Sequence, residues 1–241
     1  MNGWAAVAGA ELRLILRNRT TALMALALPL LFAGLSFSQN SPVGEGTSAL
    51  AVVQMGMLLS FTVYLTGTTT LSARRQQLYL KRLRSSRASV LGIVTGLMLP
   101  LVLLALVQAA VLFGLTGAVA GQVPAQPALL VLAVLVGGAM FAALAFLTAA
   151  FTSSPEAAQF TTAPAFVVVA AGLIWTLTTS PEDIGPEQLA VPGGALAQLA
   201  RYGWDGGGSP SGILLAIAMS LLVTVVSIAV AATAFRWEPR G

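Results

Sequence analysis

Charge is scarce in this sequence, whereas apolar residues are abundant. Of its 241 residues only 8% are Asp, Glu, Lys or Arg, while 57% are hydrophobic and the mean hydropathy is +0.88. A soluble domain carries about 25% charged residues, because its surface must face water. This chain cannot cover a soluble globule with so few charges, so we expect lipid to be its main solvent.

Cysteine and histidine are absent from the chain. Disulfides are therefore excluded, together with the commonest general base and metal ligand. A serine–lysine pair or a carboxylate pair would still permit catalysis. However, Lys81 lies in a basic segment, and Glu182 and Asp183 are neighbours in a helix-start motif. We expect no catalytic residues, no cofactor-binding residues and no metal site in this chain.

The residues needed for ATP hydrolysis and for ion coupling are also missing. A P-loop reads G-x-x-x-x-G-K-[ST], and its lysine reaches the phosphates. The one lysine here, Lys81, stands in the context YLKRL. Ion-driven transporters usually keep ionisable residues inside the membrane. Glu156 is the one acid here that fits such a role, and it also fits a helix cap. A proton-coupled exporter is therefore an alternative and not the main hypothesis.

Long apolar runs fill most of the chain. A helix needs about 20 apolar residues to cross the roughly 30 Å hydrocarbon core. This predicts an all-α, polytopic membrane protein that forms one domain over residues 1–241. Its six transmembrane helices, spans 1 to 6, are predicted at residues 20–38, 48–71, 89–119, 128–151, 157–179 and 210–235. A cleaved signal peptide is the alternative for the first run, which is long for one.

Two segments outside the spans are predicted to be helical. Residues 1–19 have apolar residues at helical spacing, with Arg13 and Arg17 one turn apart. They predict an amphipathic helix in the membrane interface, and a basic flank that only sets orientation is the alternative. Residues 180–209 form a predicted extracellular loop, whose apolar stretches suggest short helices lying against the outer surface. Serine followed by proline marks helix starts at Ser154 and Ser209.

The basic residues indicate the orientation of the chain. With the N-terminus inside, 11 of the 12 lysines and arginines are cytoplasmic, and only Arg201 lies outside. This satisfies the positive-inside rule, so we expect a multi-pass protein of the cell membrane with both termini in the cytoplasm. Because the basic residues cluster beside apolar runs, we expect contact with membrane lipid and no nucleic-acid partner.

The most charged segment, residues 72–87, joins spans 2 and 3. From Arg74 it reads RRQQLYLKRLRSSR, in which Leu80 and Leu83 lie three apart with charge around them. This spacing predicts a short amphipathic helix with a small apolar ridge. Such a helix can enter a groove of a partner protein or rest on lipid headgroups, and chemistry alone leaves both open.

Four stretches together resemble the permeases of ATP-binding-cassette type-2 exporters. They are ELRLILRNR at 11–19, LALPLLF at 26–32, the segment 75–84, and VPGGALAQLARYGW before span 6. The third is similar to the pattern R-E-x-G-T-L-x-R-L-R. The resemblance covers essentially the full length, and the chain departs from it at Gln76 in place of Glu and at Leu78 and Tyr79 in place of Gly-Thr.

The resemblance implies that the chain is a transport component and not an enzyme. The basic segment would be a cytoplasmic coupling helix that docks a separate nucleotide-binding ATPase subunit, and that subunit would hold ATP and magnesium. A second permease copy, identical or similar, would complete the unit. The residues in contact with the ATPase subunit would be Gln76, Tyr79, Leu80, Lys81, Arg82, Leu83 and Arg84.

The resemblance also implies a substrate path along spans 2 and 5. It would carry an amphiphilic substrate outward, such as a drug, an antibiotic or a lipid-like compound. The residues predicted to line it are Thr62, Thr66, Thr69, Thr162, Phe166, Trp175 and Thr176. For any one hydroxyl, a hydrogen bond within its own helix or to a neighbouring helix is the alternative. For the whole chain, a non-transporting membrane anchor or assembly subunit is the alternative function.

Overall fold

The computed structural model describes residues 46–78 and 90–234, together with four isolated helical positions, Gly9, Arg13, Arg17 and Leu31. Nearly all of predicted span 1 and of the N-terminal segment lies outside the described residues. The same holds for most of the predicted coupling residues, namely Tyr79, Leu80, Lys81, Arg82, Leu83 and Arg84. Every regular element within the described ranges is a helix, which confirms the all-α prediction for them.

Five helices are long and apolar enough to cross a membrane. They are Thr47–Gln76, Gly92–Ala120, Pro127–Phe151, Ala158–Leu177 and Pro210–Ala234, and they keep the names span 2 to span 6. Span 3 as a helix begins slightly earlier, at Val90. Five of the six predicted spans are thus confirmed as apolar helices of sufficient length. Span 2 continues to Gln76 and so includes the first residues of the segment predicted to follow it.

Span 2 is interrupted by a π-helix in its middle. It consists of an α-helix at Thr47–Leu58, a π-helix at Leu59–Leu65 and a second α-helix at Thr66–Gln76. The Thr66 hydroxyl donates a hydrogen bond of 2.8 Å to the Phe61 carbonyl, five residues earlier. That spacing matches a π turn, in which each backbone bond also reaches back five residues. π-helices are rare and occur frequently at functional sites.

Span 4 lies at the centre of the described bundle. It packs against spans 2, 3 and 6. Small residues allow the close approach: Gly137 faces Leu59 and Leu196, and Gly138 faces Val102. Spans 5 and 6 lie at the periphery, because only 22% of the apolar window of each is buried. Their remaining surfaces face outward from the described bundle.

The loop between spans 5 and 6 contains two short helices, Pro186–Ala190 and Gly194–Asp205. The second, which we call the loop helix, does not lie on the surface as predicted. Its residues 194–200 are all buried, and it packs against spans 2, 4, 5 and 6. Small residues explain this insertion, since Gly203 sits directly against Leu130. The loop helix is therefore part of the packed core at one end of the bundle.

Candidate functional site

Two hydrogen-bonded pairs join spans 2 and 3 inside the bundle. The Thr116 hydroxyl donates to Gln54 Oε1 at 2.9 Å, and the Thr62 hydroxyl donates to Gln108 Oε1 at 2.8 Å. All four side chains are buried. Burying a polar group in an apolar setting is costly unless it is hydrogen-bonded, so these pairs fix the two spans against each other. Sequence reasoning missed both glutamines, although a lone glutamine in an apolar run signals a need for a partner.

An aromatic cluster joins span 2 to spans 4 and 5. The ring of Phe166 lies 5.4 Å from Phe61 and 5.6 Å from Tyr64, and the ring of Phe141 lies 6.4 Å from Tyr64. The Tyr64 hydroxyl is 2.8 Å from the Thr148 hydroxyl. Phe166, a predicted path residue, therefore lies where span 5 meets span 2.

The predicted path residues near this cluster are mostly turned inward. Thr62, Thr66 and Thr162 are buried. The hydroxyls of Thr66, Thr69 and Thr162 donate to carbonyls of their own helices, at 2.8, 2.9 and 2.7 Å. Thr162 also contributes its carbonyl, which accepts a 3.4 Å hydrogen bond from the Tyr64 hydroxyl. Among these hydrogen bonds, the one from Tyr64 connects spans 2 and 5 within one chain.

The remaining predicted path residues lie at the opposite end of span 5. Trp175 is 45% exposed. Thr176 is buried, and its hydroxyl lies 3.5 Å from the Gly194 carbonyl at the start of the loop helix. The structure therefore does not bring these two residues together with Phe166 and Thr162.

Arg75, near the end of span 2, caps the end of span 4. Its side chain is only 1% exposed, and its guanidinium donates to the Ala149 carbonyl at 2.9 Å and to the Thr152 carbonyl. The last carbonyls of a helix lack intrahelical partners, and that end carries the negative pole of the helix dipole. A buried cation is thus satisfied by the C-terminus of a neighbouring span.

The turn between spans 4 and 5 adds further contacts at this end. The hydroxyls of Thr152 and Thr161 lie 2.7 Å apart, which joins the two spans. Gln76, a predicted contact of the ATPase subunit, is exposed and places its Nε2 3.4 Å from the Ser153 carbonyl. The end of span 2 therefore rests on the turn that starts span 5.

Ser154 and Glu156, where the sequence indicates a helix start, lie in the turn just before the first helix of span 5, which begins at Ala158. The Ser154 hydroxyl accepts a 3.1 Å hydrogen bond from the Ala157 N–H. Its hydrogen bond to Glu156 lowers the pKa of that fully exposed carboxyl. The carboxyl is therefore ionised at neutral pH and lies at the surface of the bundle. This position suits a cap better than a proton relay.

Leu78, two residues after the end of span 2, has a left-handed conformation. Its φ is +57°, and its N–H donates to the Arg75 carbonyl at 3.0 Å. Helices commonly end with such a residue, which is usually glycine because a Cβ is unfavourable there. The pattern in the resemblance has glycine at this position, and the backbone geometry gives a physical reason for it.

Arg201 caps span 5 at the other end of the bundle. Its guanidinium donates to the carbonyls of Thr176 and Thr179, at 2.9 and 3.0 Å. Burial lowers the pKa of Arg201, and the nearby Asp205 carboxylate opposes that shift. An arginine does not lose its proton in a protein, so a charged donor faces the span 5 carbonyls. This role explains why a lone arginine stands in the predicted outer loop.

Metal-binding clusters do not occur within residues 46–78 and 90–234, where no group of three or more His, Cys, Asp or Glu could hold an ion. A protein-family model described as ABC-2 type transporter matches residues 3–182. That match covers the predicted interfacial segment, spans 1 to 5 and the basic segment 72–87. No curated protein matches the chain. No solved structure matches it either.

Proposed function

Because this chain belongs to the ABC-2 type transporter family and is a multi-pass membrane component of a transporter, we propose that it is the permease of an exporter driven by a separate ATPase subunit. One observation carries the proposal: the family match includes the basic segment between spans 2 and 3. The missing P-loop lysine agrees with it. Energy would therefore come from ATP hydrolysed by another subunit, and the basic segment would be the contact with that subunit.

The coupling step would take place at the predicted contacts of the ATPase subunit, Gln76 and residues 79–84. In the proposed complex, ATP binding closes two ATPase subunits against each other, and the segment with Leu80 and Leu83 follows their movement. Exposed Gln76 lies directly beside this segment and against the turn that begins span 5. The two ends of the segment are fixed by spans 2 and 3, so its displacement must reach the bundle.

The substrate path would form where two permease copies meet. The peripheral position of span 5 supports this proposal, because Val167 is 68% and Trp175 is 45% exposed in a single chain. Phe166 is partly buried and lies beside the aromatic rings of span 2. A surface that combines aromatic rings with hydroxyl groups suits an amphiphilic substrate, which presents both apolar and polar groups.

The division of labour can be tested by measuring ATP hydrolysis. We expect the purified chain alone to hydrolyse no ATP, because it lacks the lysine that a P-loop needs. Co-expression with its nucleotide-binding subunit should yield a complex with vanadate-sensitive hydrolysis. The same complex in liposomes should expel an amphiphilic dye only when ATP is present. Sustained, vanadate-sensitive hydrolysis by the isolated chain would contradict the proposal.

The proposed orientation can be tested by thiol labelling, since the natural chain has no cysteine to remove. Ser85→Cys and Gly241→Cys should react with an impermeant thiol reagent only after the membrane is opened. Gln39→Cys and Gln122→Cys should react in intact cells, because these positions lie in predicted outer loops. The unsubstituted chain gives the background signal. Labelling of Ser85→Cys from outside would reverse the topology.

A further inference from the structure

We propose that Arg75 is a positioning residue that transmits movement of the coupling segment to span 4. This inference rests on the proposed function, because it assumes that Gln76 and residues 79–84 contact the ATPase subunit. It adds a specific route: the movement would enter the bundle through a side-chain contact between two spans, and not only along the axis of span 2.

The first argument is the nature of the Arg75 contact. Arg75 is the largest fully buried side chain in the described residues. Its charge is removed from water and is satisfied by the carbonyls of Ala149 and Thr152, which belong to the end of span 4. Breaking these bonds would leave a buried cation beside bare carbonyls, which is unfavourable. The two span ends should therefore move together.

The second argument is the position of Arg75 in the chain. It lies one residue before Gln76, which ends span 2, and four residues before Tyr79. Both Gln76 and Tyr79 are predicted contacts of the ATPase subunit. Arg74, its neighbour, instead donates to the exposed side chain of Gln77 at 3.2 Å. Two adjacent arginines thus make different contacts, and the bonds of Arg75 to the two carbonyls join span 2 to the end of span 4. A displacement of the segment acts on Arg75 almost directly.

The third argument concerns the two routes into the bundle. A push along span 2 has to pass through the π-helix at Leu59–Leu65, where the regular α-helical bonding is interrupted. Span 4 is a continuous α-helix from Pro127 to Phe151 and packs against spans 2, 3 and 6 and the loop helix. A movement delivered to its end therefore reaches most of the described bundle.

The test compares Arg75→Gln, Arg75→Lys and Arg74→Gln in the complete complex with its ATPase subunit. Glutamine removes the charge, lysine keeps it, and Arg74→Gln removes the same charge one residue away. Three quantities are measured: retention of the ATPase subunit, ATP hydrolysis, and dye exported per ATP hydrolysed in liposomes. Retention and hydrolysis by the unsubstituted complex test the proposed function separately.

Arg75→Gln should retain the ATPase subunit and its hydrolysis but lower export per ATP by at least about tenfold, because hydrogen bonds from a charged donor are the stronger ones. Arg75→Lys should restore part of that loss, since an ammonium can still donate to the carbonyls. Arg74→Gln should stay within about twofold of the unsubstituted complex, as expected for a partly exposed side chain.

Export per ATP within twofold of normal for Arg75→Gln would overturn the proposal. A parallel fall in retention, hydrolysis and thermal stability without rescue by lysine would also overturn it, because Arg75 would then serve only the fold. If Arg75→Gln does not insert, Arg75→Lys decides the question, because an ammonium keeps the charge but lacks the fork of a guanidinium. Its retention and hydrolysis should be normal while its export per ATP falls, and normal export per ATP for Arg75→Lys would overturn the proposal.

Discussion

Replacing Leu80 and Leu83 together with aspartate is expected to release the ATPase subunit and to abolish export. These leucines form the apolar ridge of the proposed coupling helix, amid the charges of residues 81–87. Burying one leucine at an interface contributes about 1.5–3 kcal/mol. Aspartate removes that contribution and brings a carboxylate into an apolar contact, at a further cost unless the carboxylate finds a partner. With two permease copies in each complex, the total effect should roughly double.

The measurement is co-purification of the ATPase subunit with the detergent-solubilised permease. Insertion should be normal, because both positions lie outside the spans. Ser85→Asp with Ser86→Asp adds the same two charges without removing a leucine, and this control should retain the ATPase subunit. Lys81→Ala should also have little effect, because an exposed ion pair is worth only about 0–1 kcal/mol. A Leu80→Asp, Leu83→Asp variant that co-purifies with a fully stimulated ATPase would place this helix on lipid.

The spans could be predicted from the sequence because lipid imposes a simple requirement. An uninterrupted apolar run of sufficient length has few alternatives to a transmembrane helix. The exact ends of the helices do not follow from the apolar runs, as span 2 shows. Charge at Arg74 and Arg75 marks where the apolar window ends, but the helix itself continues to Gln76. The position where the apolar run ends is therefore not the position where the helix ends.

The contacts between spans could not be predicted, because a single sequence shows the need for a partner but not its identity. Thr62 and Gln108 lie 46 positions apart, and nothing local couples them. The two adjacent arginines illustrate the same limit. Arg75 is buried against span 4, while Arg74 is only partly buried, and their sequence contexts are nearly equal. Only the packing of span 4 against span 2 distinguishes them.

The loop helix was also misjudged, for a physical reason that its residues show. Its mixed composition, with Gln198 and Arg201 among alanines and leucines, is typical of a helix at an interface. In the structure these polar side chains are hydrogen-bonded to backbone carbonyls. Gln198 Nε2 donates to the Pro181 carbonyl, and Arg201 donates to carbonyls at the end of span 5. Small residues then let the helix insert between the spans.

A close backbone contact between span 5 and the start of the loop helix leads to the last prediction, for Gly172→Ala. A Cβ at Gly172 would lie 2.6 Å from the Pro192 carbonyl oxygen and 3.0 Å from the Gly194 nitrogen. Gly193, with φ of +103°, lies against the Val169 carbonyl, three residues before Gly172 on span 5. Backbone atoms cannot rotate away as a side chain can, so the added methyl group should force the loop helix off span 5.

We expect Gly172→Ala to lower stability by about 1–3 kcal/mol, the usual cost of overpacking, or the thermal midpoint by about 2–12 °C. Gly114→Ala is the matched control, because a Cβ there meets nothing within 4 Å. Both changes raise helix propensity alike, so their difference isolates the contact. Ala197 is buried, so Ala197→Cys alone should be unreactive toward a thiol reagent. It should become reactive when combined with Gly172→Ala, since displacement of the loop helix would expose the cysteine. Equal midpoints for the two alanine variants, with the cysteine still protected, would mean that span 5 and the loop helix are not in backbone contact.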